Sequence, residues 1–238
     1  MFDGHLVSLR NPTCFEAEQY RRLRHRVEHL GATRGVRVLA VTSAVATDGK
    51  TLTAINLAGA LAQARGGRIL LVDADLRRPS VIEQLGLPDD STQGLVEAIQ
   101  GARQPLADFV RAVDGTNLSV LANRRSEAGP YELLTSPRLI ELLDEARRIY
   151  DFVIVDTPPI VPVPDGALLS RAVDGYLLVV AANSTPRKLL GEALNMLEPS
   201  SVMGLVFNGD DQPLFGHYGS RYERYFRRYT RSVSRATA

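Results

Sequence analysis

Short, nearly continuous apolar runs alternate along the chain with longer stretches whose apolar positions recur every three or four residues. The runs fall at Val36–Thr42, Arg68–Asp73, Leu118–Leu121, Phe152–Asp156, Tyr176–Ala181 and Val202–Asn208. Their density of β-branched and aliphatic residues predicts strands buried on both faces, as in a parallel sheet. Between them, Leu52–Gln63, Gly94–Ile99, Pro137–Arg148 and Arg187–Leu197 predict helices. Regular strand–helix alternation predicts an α/β fold with three layers, a mostly parallel central sheet flanked by helices. Neither an internal repeat nor an extended linker is visible, so a single domain is expected. It divides into an N-terminal helical segment (1–34), carrying the charged pattern Glu16–Leu30, a core (35–209), and a polar, basic tail (210–238) expected to be flexible.

Composition changes this picture little. Over 238 residues, apolar content of 45% and charged content of 23% are ordinary for a globular protein and exclude a disordered chain. A formal charge of +1 gives no reason to expect a nucleic-acid partner. Cys14 is the lone cysteine, with neither a disulfide mate nor the spacing of a metal cluster. The start, Met1-Phe-Asp-Gly-His, lacks the basic and apolar stretches of a signal peptide, and the longest apolar runs fall far short of the ~20 residues that cross a bilayer. A cytoplasmic protein is expected, with any membrane role borrowed from a partner.

The chemistry begins after the first predicted strand, where Ser43-Ala-Val-Ala-Thr-Asp-Gly-Lys-Thr51 leads into the helical pattern from Leu52. A tight turn feeding a helix places free backbone N–H groups and the positive end of the helix dipole where they hold phosphate. Ala46, Thr47, Asp48, Gly49, Lys50, Thr51 and Leu52 are the expected nucleotide contacts. In this pattern Lys50 reaches the β- and γ-phosphates and the Thr51 hydroxyl ligates magnesium. The usual motif opens on glycine where this chain has Ala44, a residue small enough for the same turn. Two more strands end in acid: Asp73-Ala-Asp75-Leu-Arg77-Arg-Pro79 follows one, and Asp156-Thr-Pro-Pro159 another. In open α/β sheets ligands bind beyond the carboxyl ends of the strands. These three aspartates therefore converge on the phosphate loop, where magnesium needs oxygen ligands.

The set Ser43–Thr51, Val72–Pro79 and Val153–Pro159 resembles the Walker A, A′ and B motifs of the bacterial tyrosine kinases of capsule and exopolysaccharide production, a family with the P-loop NTPase fold. The resemblance runs from about Glu16 to the C-terminus, and Asp73-Ala-Asp75-Leu-Arg-Arg-Pro79 is its most specific part. The family loop commonly reads Pro-Gly-Glu-Gly-Lys-Ser, whereas this chain has Ala46-Thr-Asp-Gly-Lys-Thr51. Threonine resists positive φ, so the loop's conformation at Thr47 is put in question.

The resemblance implies an ATP- and magnesium-dependent tyrosine autokinase that regulates polysaccharide synthesis and export, with Thr51, Asp73 and Asp156 holding the magnesium. Lys50, Asp73, Asp75 and Arg77 would be catalytic, with Asp73 or Asp75 as base toward a phenol of pKa near 10 and Arg77 as a charge stabiliser. Asn208, at the end of a predicted strand, either reads the adenine edge or is a turn residue. Glu18, Arg21 and Arg24 match the family's Glu-x-x-Arg-x-x-Arg interface motif and imply a ring-like homo-oligomer. Tyr218, Tyr222, Tyr225 and Tyr229, four of the chain's eight tyrosines, correspond to the autophosphorylated cluster. Implied partners are a transmembrane polysaccharide co-polymerase that activates the kinase at the inner membrane face, and a cognate phosphotyrosine phosphatase. Two other readings stay open: a partitioning or positioning ATPase of the same superfamily, and a nucleotide-binding regulator without kinase activity. Against the first, Val45 stands where those ATPases place an early lysine.

Overall fold

A computed structural model of the chain describes residues 4–64, 66–88, 93–101, 104–124 and 129–209. The four tail tyrosines lie outside the described residues. The elements run α1 (Val7–Arg10), α2 (Phe15–Arg34), β1 (Val38–Ser43), α3 (Lys50–Ala62), β2 (Ile69–Asp73), α4 (Val81–Leu85), α5 (Leu95–Gln100), β3 (Arg111–Ala112) and β4 (Leu118–Leu121). They continue as α6 (Pro130–Leu134), α7 (Pro137–Ile149), β5 (Phe152–Asp156), α8 (Asp165–Leu168), β6 (Gly175–Ala181), α9 (Arg187–Asn195) and β7 (Val202–Asn208).

The strands form one sheet in the order β3-β4-β2-β5-β1-β6-β7. Every pairing is parallel except that of β3 with β4. Side chains of a strand alternate between faces, and the core follows that alternation. Leu39, Val41, Ile69, Leu71 and Ile154 pack on one face with Ile55, Leu57 and Leu61 of α3 and Val27 of α2. Val38, Leu70, Val72, Val153 and Val155 pack on the other with Val96 of α5 and Leu139, Leu142, Leu143 and Ala146 of α7. These last four sit at the i, i+3, i+4, i+7 spacing of one helical stripe. Pro137 at its first turn and the Ser136 hydroxyl, which accepts from the Arg138 N–H, start α7.

The N-terminal segment is tied down locally. The Cys14 thiol caps α2 by accepting from the Ala17 N–H at 3.4 Å, and Gly35, at φ +70°, ends that helix. Arg21 pairs with Glu18 on its own helix, and Arg24 reaches the Ala60 carbonyl of α3 at 3.2 Å and Glu28 at 3.3 Å.

Two expectations are corrected. Val202–Asn208 reads as a buried strand, yet β7 is the sheet's edge, with Leu205 42% and Phe207 58% exposed. An apolar run reports what a strand tolerates on its faces, while its number of neighbours is set by tertiary order. Helix α9 also stops at Asn195, short of the predicted Leu197.

Candidate active site

Strand phase decides where the acids point. Asp73 continues the Ile69, Leu71 series and Asp156 continues Ile154, so both carboxylates lie on the α3 face of the sheet. The two residues are also register partners across neighbouring parallel strands. Strand β1, beside β5, delivers the phosphate loop to the same end, and α3 begins with Lys50 and Thr51.

The candidate side chains meet there. The Lys50 ammonium lies 2.9 Å from Asp75 Oδ2 and 3.9 Å from Asp156 Oδ2. The Thr51 hydroxyl donates to Asp156 Oδ2 at 2.7 Å and accepts from Lys50 Nζ at 3.1 Å. Asp73 is fully buried and held by backbone: its Oδ1 accepts from the Asp75 N–H at 3.2 Å, its Oδ2 from Ser80 and Val81 at 3.0 and 3.1 Å. Asp75 accepts from the Arg78 N–H at 2.9 Å, which folds the turn after β2 back on itself.

Burial and mutual repulsion set the electrostatics. Burial first, and then the neighbouring Asp156, push the Asp73 carboxyl up to about 8, against the pull of its backbone donors. Burial also raises Asp156, to about 6, with Lys50 and Thr51 opposing. For Lys50 burial works against the charge, but Asp156 and Asp75 outweigh it and hold the ammonium above the usual lysine range. A second cation would relieve this crowding of carboxylates. Asp156 Oδ1 is buried without a hydrogen-bond partner, and the surrounding donors are all oxygens, which fits magnesium. Among the described residues no three His, Cys, Asp or Glu side chains form a cage. Magnesium needs none where one or two carboxylates and substrate phosphates complete its shell.

The comparisons with known proteins agree with this geometry. A family model described as an AAA domain matches residues 36–185. Tyrosine-protein kinase YwqD of Bacillus subtilis is 33% identical over 91% of this chain and 92% of its own. The kinase domain of the Escherichia coli tyrosine kinase ETK superposes with a TM-score of 0.78 at 29% identity, covering 90% of this chain and 84% of that one.

The chain belongs to the bacterial tyrosine kinases of the capsule and exopolysaccharide family.

A Pyrococcus furiosus cell division ATPase MinD, at 23% identity, a TM-score of 0.59 and coverage of 72% of this chain and 70% of its own, shares the fold alone. The kinase family's loop has proline and glycine where this chain has Ala46 and Thr47. The substitution causes no backbone strain. Within the loop only Gly49 takes positive φ, at +84°, and Asn183 is the only non-glycine among the described residues to do so. Glycine is required at 49 on a second ground: a Cβ there would stand 2.0 Å from Asn208 Nδ2. Asn208 thereby acquires a role beyond both predicted ones. Its amide donates to the Asp48 carbonyl at 3.0 Å and ties the end of β7 to the phosphate loop.

Arg77 stands at the rim, half exposed, and grips the buried Asp165 through two hydrogen bonds of 2.6 and 3.1 Å. Sequence reading missed Asp165. Its only local signal is an acid after Pro164 at the head of a short helix, which reads as a cap. Thr185, whose hydroxyl donates to Asp48 at 2.6 Å, was missed as well. A threonine before Pro186 looks like loop punctuation.

Proposed function

We propose that the chain transfers the γ-phosphate of ATP to its own C-terminal tyrosines, Tyr218, Tyr222, Tyr225 and Tyr229, in a neighbouring copy, and so regulates capsule or exopolysaccharide export. The observation that carries this reading is the 2.9 Å pair between Lys50 and Asp75 beside the buried Asp156. A lysine at the head of a phosphate-binding helix exchanges its carboxylate for the β- and γ-phosphates when nucleotide arrives. That exchange frees Asp75 at the reacting phosphorus. Asp73 is the poorer candidate base, because backbone N–H groups fix its carboxylate in place and the metal would draw on its charge.

The tyrosine hydroxyl then gives its proton to Asp75 while its oxygen bonds to the γ-phosphorus. The bond from that phosphorus to the β–γ bridging oxygen breaks, and ADP leaves. Thr51, Asp73 and Asp156 would hold magnesium, which neutralises charge on the β- and γ-phosphates. Lys50 stays on the transferring group, and Arg77, fixed by Asp165, supplies positive charge at the rim. With Asn208 Nδ2 committed to the loop, its Oδ1 is proposed to face the adenine edge.

Assembly through Glu18, Arg21 and Arg24 into a ring-like oligomer would bring one copy's tail to the next copy's site. Among the described residues no helix is long and apolar enough to cross a membrane. On the likeness to exopolysaccharide proteins such as ExoP of Rhizobium meliloti, we assign recruitment to the inner membrane face to a transmembrane polysaccharide co-polymerase, with a cognate phosphatase reversing the modification. A mixing experiment tests the reading. A Lys50→Met chain with its tail intact is incubated with magnesium, ATP and a chain whose tail tyrosines are phenylalanine. Phosphotyrosine on the Lys50→Met chain is expected. Its absence, where the intact chain phosphorylates itself, overturns transfer between copies.

A further inference from the structure

Asp48, directly before the left-handed Gly49, is a buried acid that the phosphate chemistry does not use, 1% exposed and held from three sides. Its Oδ2 accepts from the Val45 N–H at 3.1 Å, inside the loop. Its backbone oxygen accepts from Asn208 at the end of β7. Its Oδ1 accepts from the Thr185 hydroxyl at 2.6 Å, and that hydroxyl in turn accepts from the Ala181 N–H at 2.9 Å, where β6 ends. The segment carrying Thr185 is itself closed by its N–H on the Ala181 carbonyl at 3.0 Å. The phosphate loop is therefore pinned to the ends of β6 and β7, and Thr185 is the side chain that makes the β6 link.

We propose that Thr185 is a positioning residue of the nucleotide site: its hydroxyl fixes Asp48, and through Asp48 the backbone that presents Gly49, Lys50 and Thr51 to phosphate. The physical reason is preorganisation. A loop whose N–H groups already face the phosphates spends little binding energy on ordering. Without the hydroxyl, Asp48 Oδ1 is a buried carboxylate oxygen with no donor, a cost that the loop relieves by opening toward water. Thr185 touches neither the phosphorus nor the acceptor in this arrangement, so the defect belongs in binding and not in the chemical step.

The inference rests on the nucleotide site proposed above, and binding measurements separate the two. Full-length chain is titrated with a fluorescent ADP derivative and magnesium, as wild type, Thr185→Val and Thr185→Ser. Valine keeps the shape and loses the hydroxyl; serine keeps the hydroxyl. For valine the Kd is expected to rise about tenfold, the scale of one hydrogen bond to a charged group. Serine should stay within about twofold of wild type on the same scale. In autophosphorylation the valine chain should show a raised KM for ATP with kcat nearly unchanged. Adding Asp48→Asn to the valine chain should cost less than it does in the wild type, since the contact is already gone. Valine binding as tightly as wild type, or serine as weakly as valine, overturns the role of the hydroxyl. A wild-type chain that binds no nucleotide overturns the site itself, and this inference with it.

Discussion

Gly49→Ala perturbs the loop at its tightest point. The residue holds φ at +84°, where a Cβ costs roughly 1–2 kcal/mol. The new methyl would also stand 2.0 Å from Asn208 Nδ2, so that amide must swing away and give up its 3.0 Å bond to the Asp48 carbonyl. Losing that bond adds about 1 kcal/mol. The sum, about 2–3 kcal/mol, corresponds to a fall in Tm of roughly 5–10 °C for a chain of this size. Urea unfolding of Gly49→Ala, Asn208→Ala and the double variant separates the two contributions. Asn208→Ala removes the obstacle and leaves the φ strain. The double variant should therefore be more stable than additivity predicts, by about 1 kcal/mol. Strict additivity would refute the contact, and an unchanged Gly49→Ala would refute both contributions.

Two further outcomes follow from the charges. Asp73 near 8 and Asp156 near 6 leave the pair holding about one proton at neutral pH, which cation binding must expel. Calorimetry of magnesium–ADP binding should show heats that vary with the buffer's ionisation enthalpy, and affinity that falls in acid; equal heats across buffers would contradict the assignment. Both values lie above the unfolded one, so without ligand the pair favours the fold most in acid, and that contribution is lost as pH rises toward 8. Asp174 behaves in the opposite sense. Burial opposes its charge, but Arg147 at 2.6 Å and the Arg37 and Val38 N–H groups at 2.7 and 2.8 Å outweigh burial and hold it below the usual range. Its contribution is present above the ordinary carboxylate value and lost as pH falls through the depressed one. Asp174→Ala should cost about 1–2 kcal/mol in urea unfolding at neutral pH, a figure reduced for the solvent that reaches the pair, and much less in strong acid; equal costs would refute the pairing.

The place of the acids was legible because each closes an apolar run, and in open α/β sheets ligands bind beyond the carboxyl ends of the strands. Their phase was not legible, because both runs are buried on both faces and show no alternation. That the two strands are neighbours depends on the order β2-β5-β1, which no local pattern records. The same blindness explains β7, whose apolar run looks like that of a central strand although among the described residues it pairs on one side alone. Elements of two to five residues, such as β3, α1, α4 and α8, are too short to display a period. Asp165 and Thr185 went unread for a related reason. Each acts on a residue far along the chain, Arg77 and Asp48, and nothing within a few positions of either marks the partner. The loop shows the reverse case. Threonine at 47 raised a doubt about conformation that the backbone answers by placing its left-handed residue at Gly49.

In the proposed reaction the phosphoryl group goes to tyrosine at the site built around Lys50, Asp75 and Asp156. Labelled γ-phosphate, supplied as ATP with magnesium to the full-length chain and to Asp75→Asn, tests it by the partition of label between protein and free phosphate. Label on tyrosines of the wild type, with Asp75→Asn transferring at least about a hundredfold more slowly, is the predicted result. Release of all the label as free phosphate, with unmodified tyrosines, would contradict it.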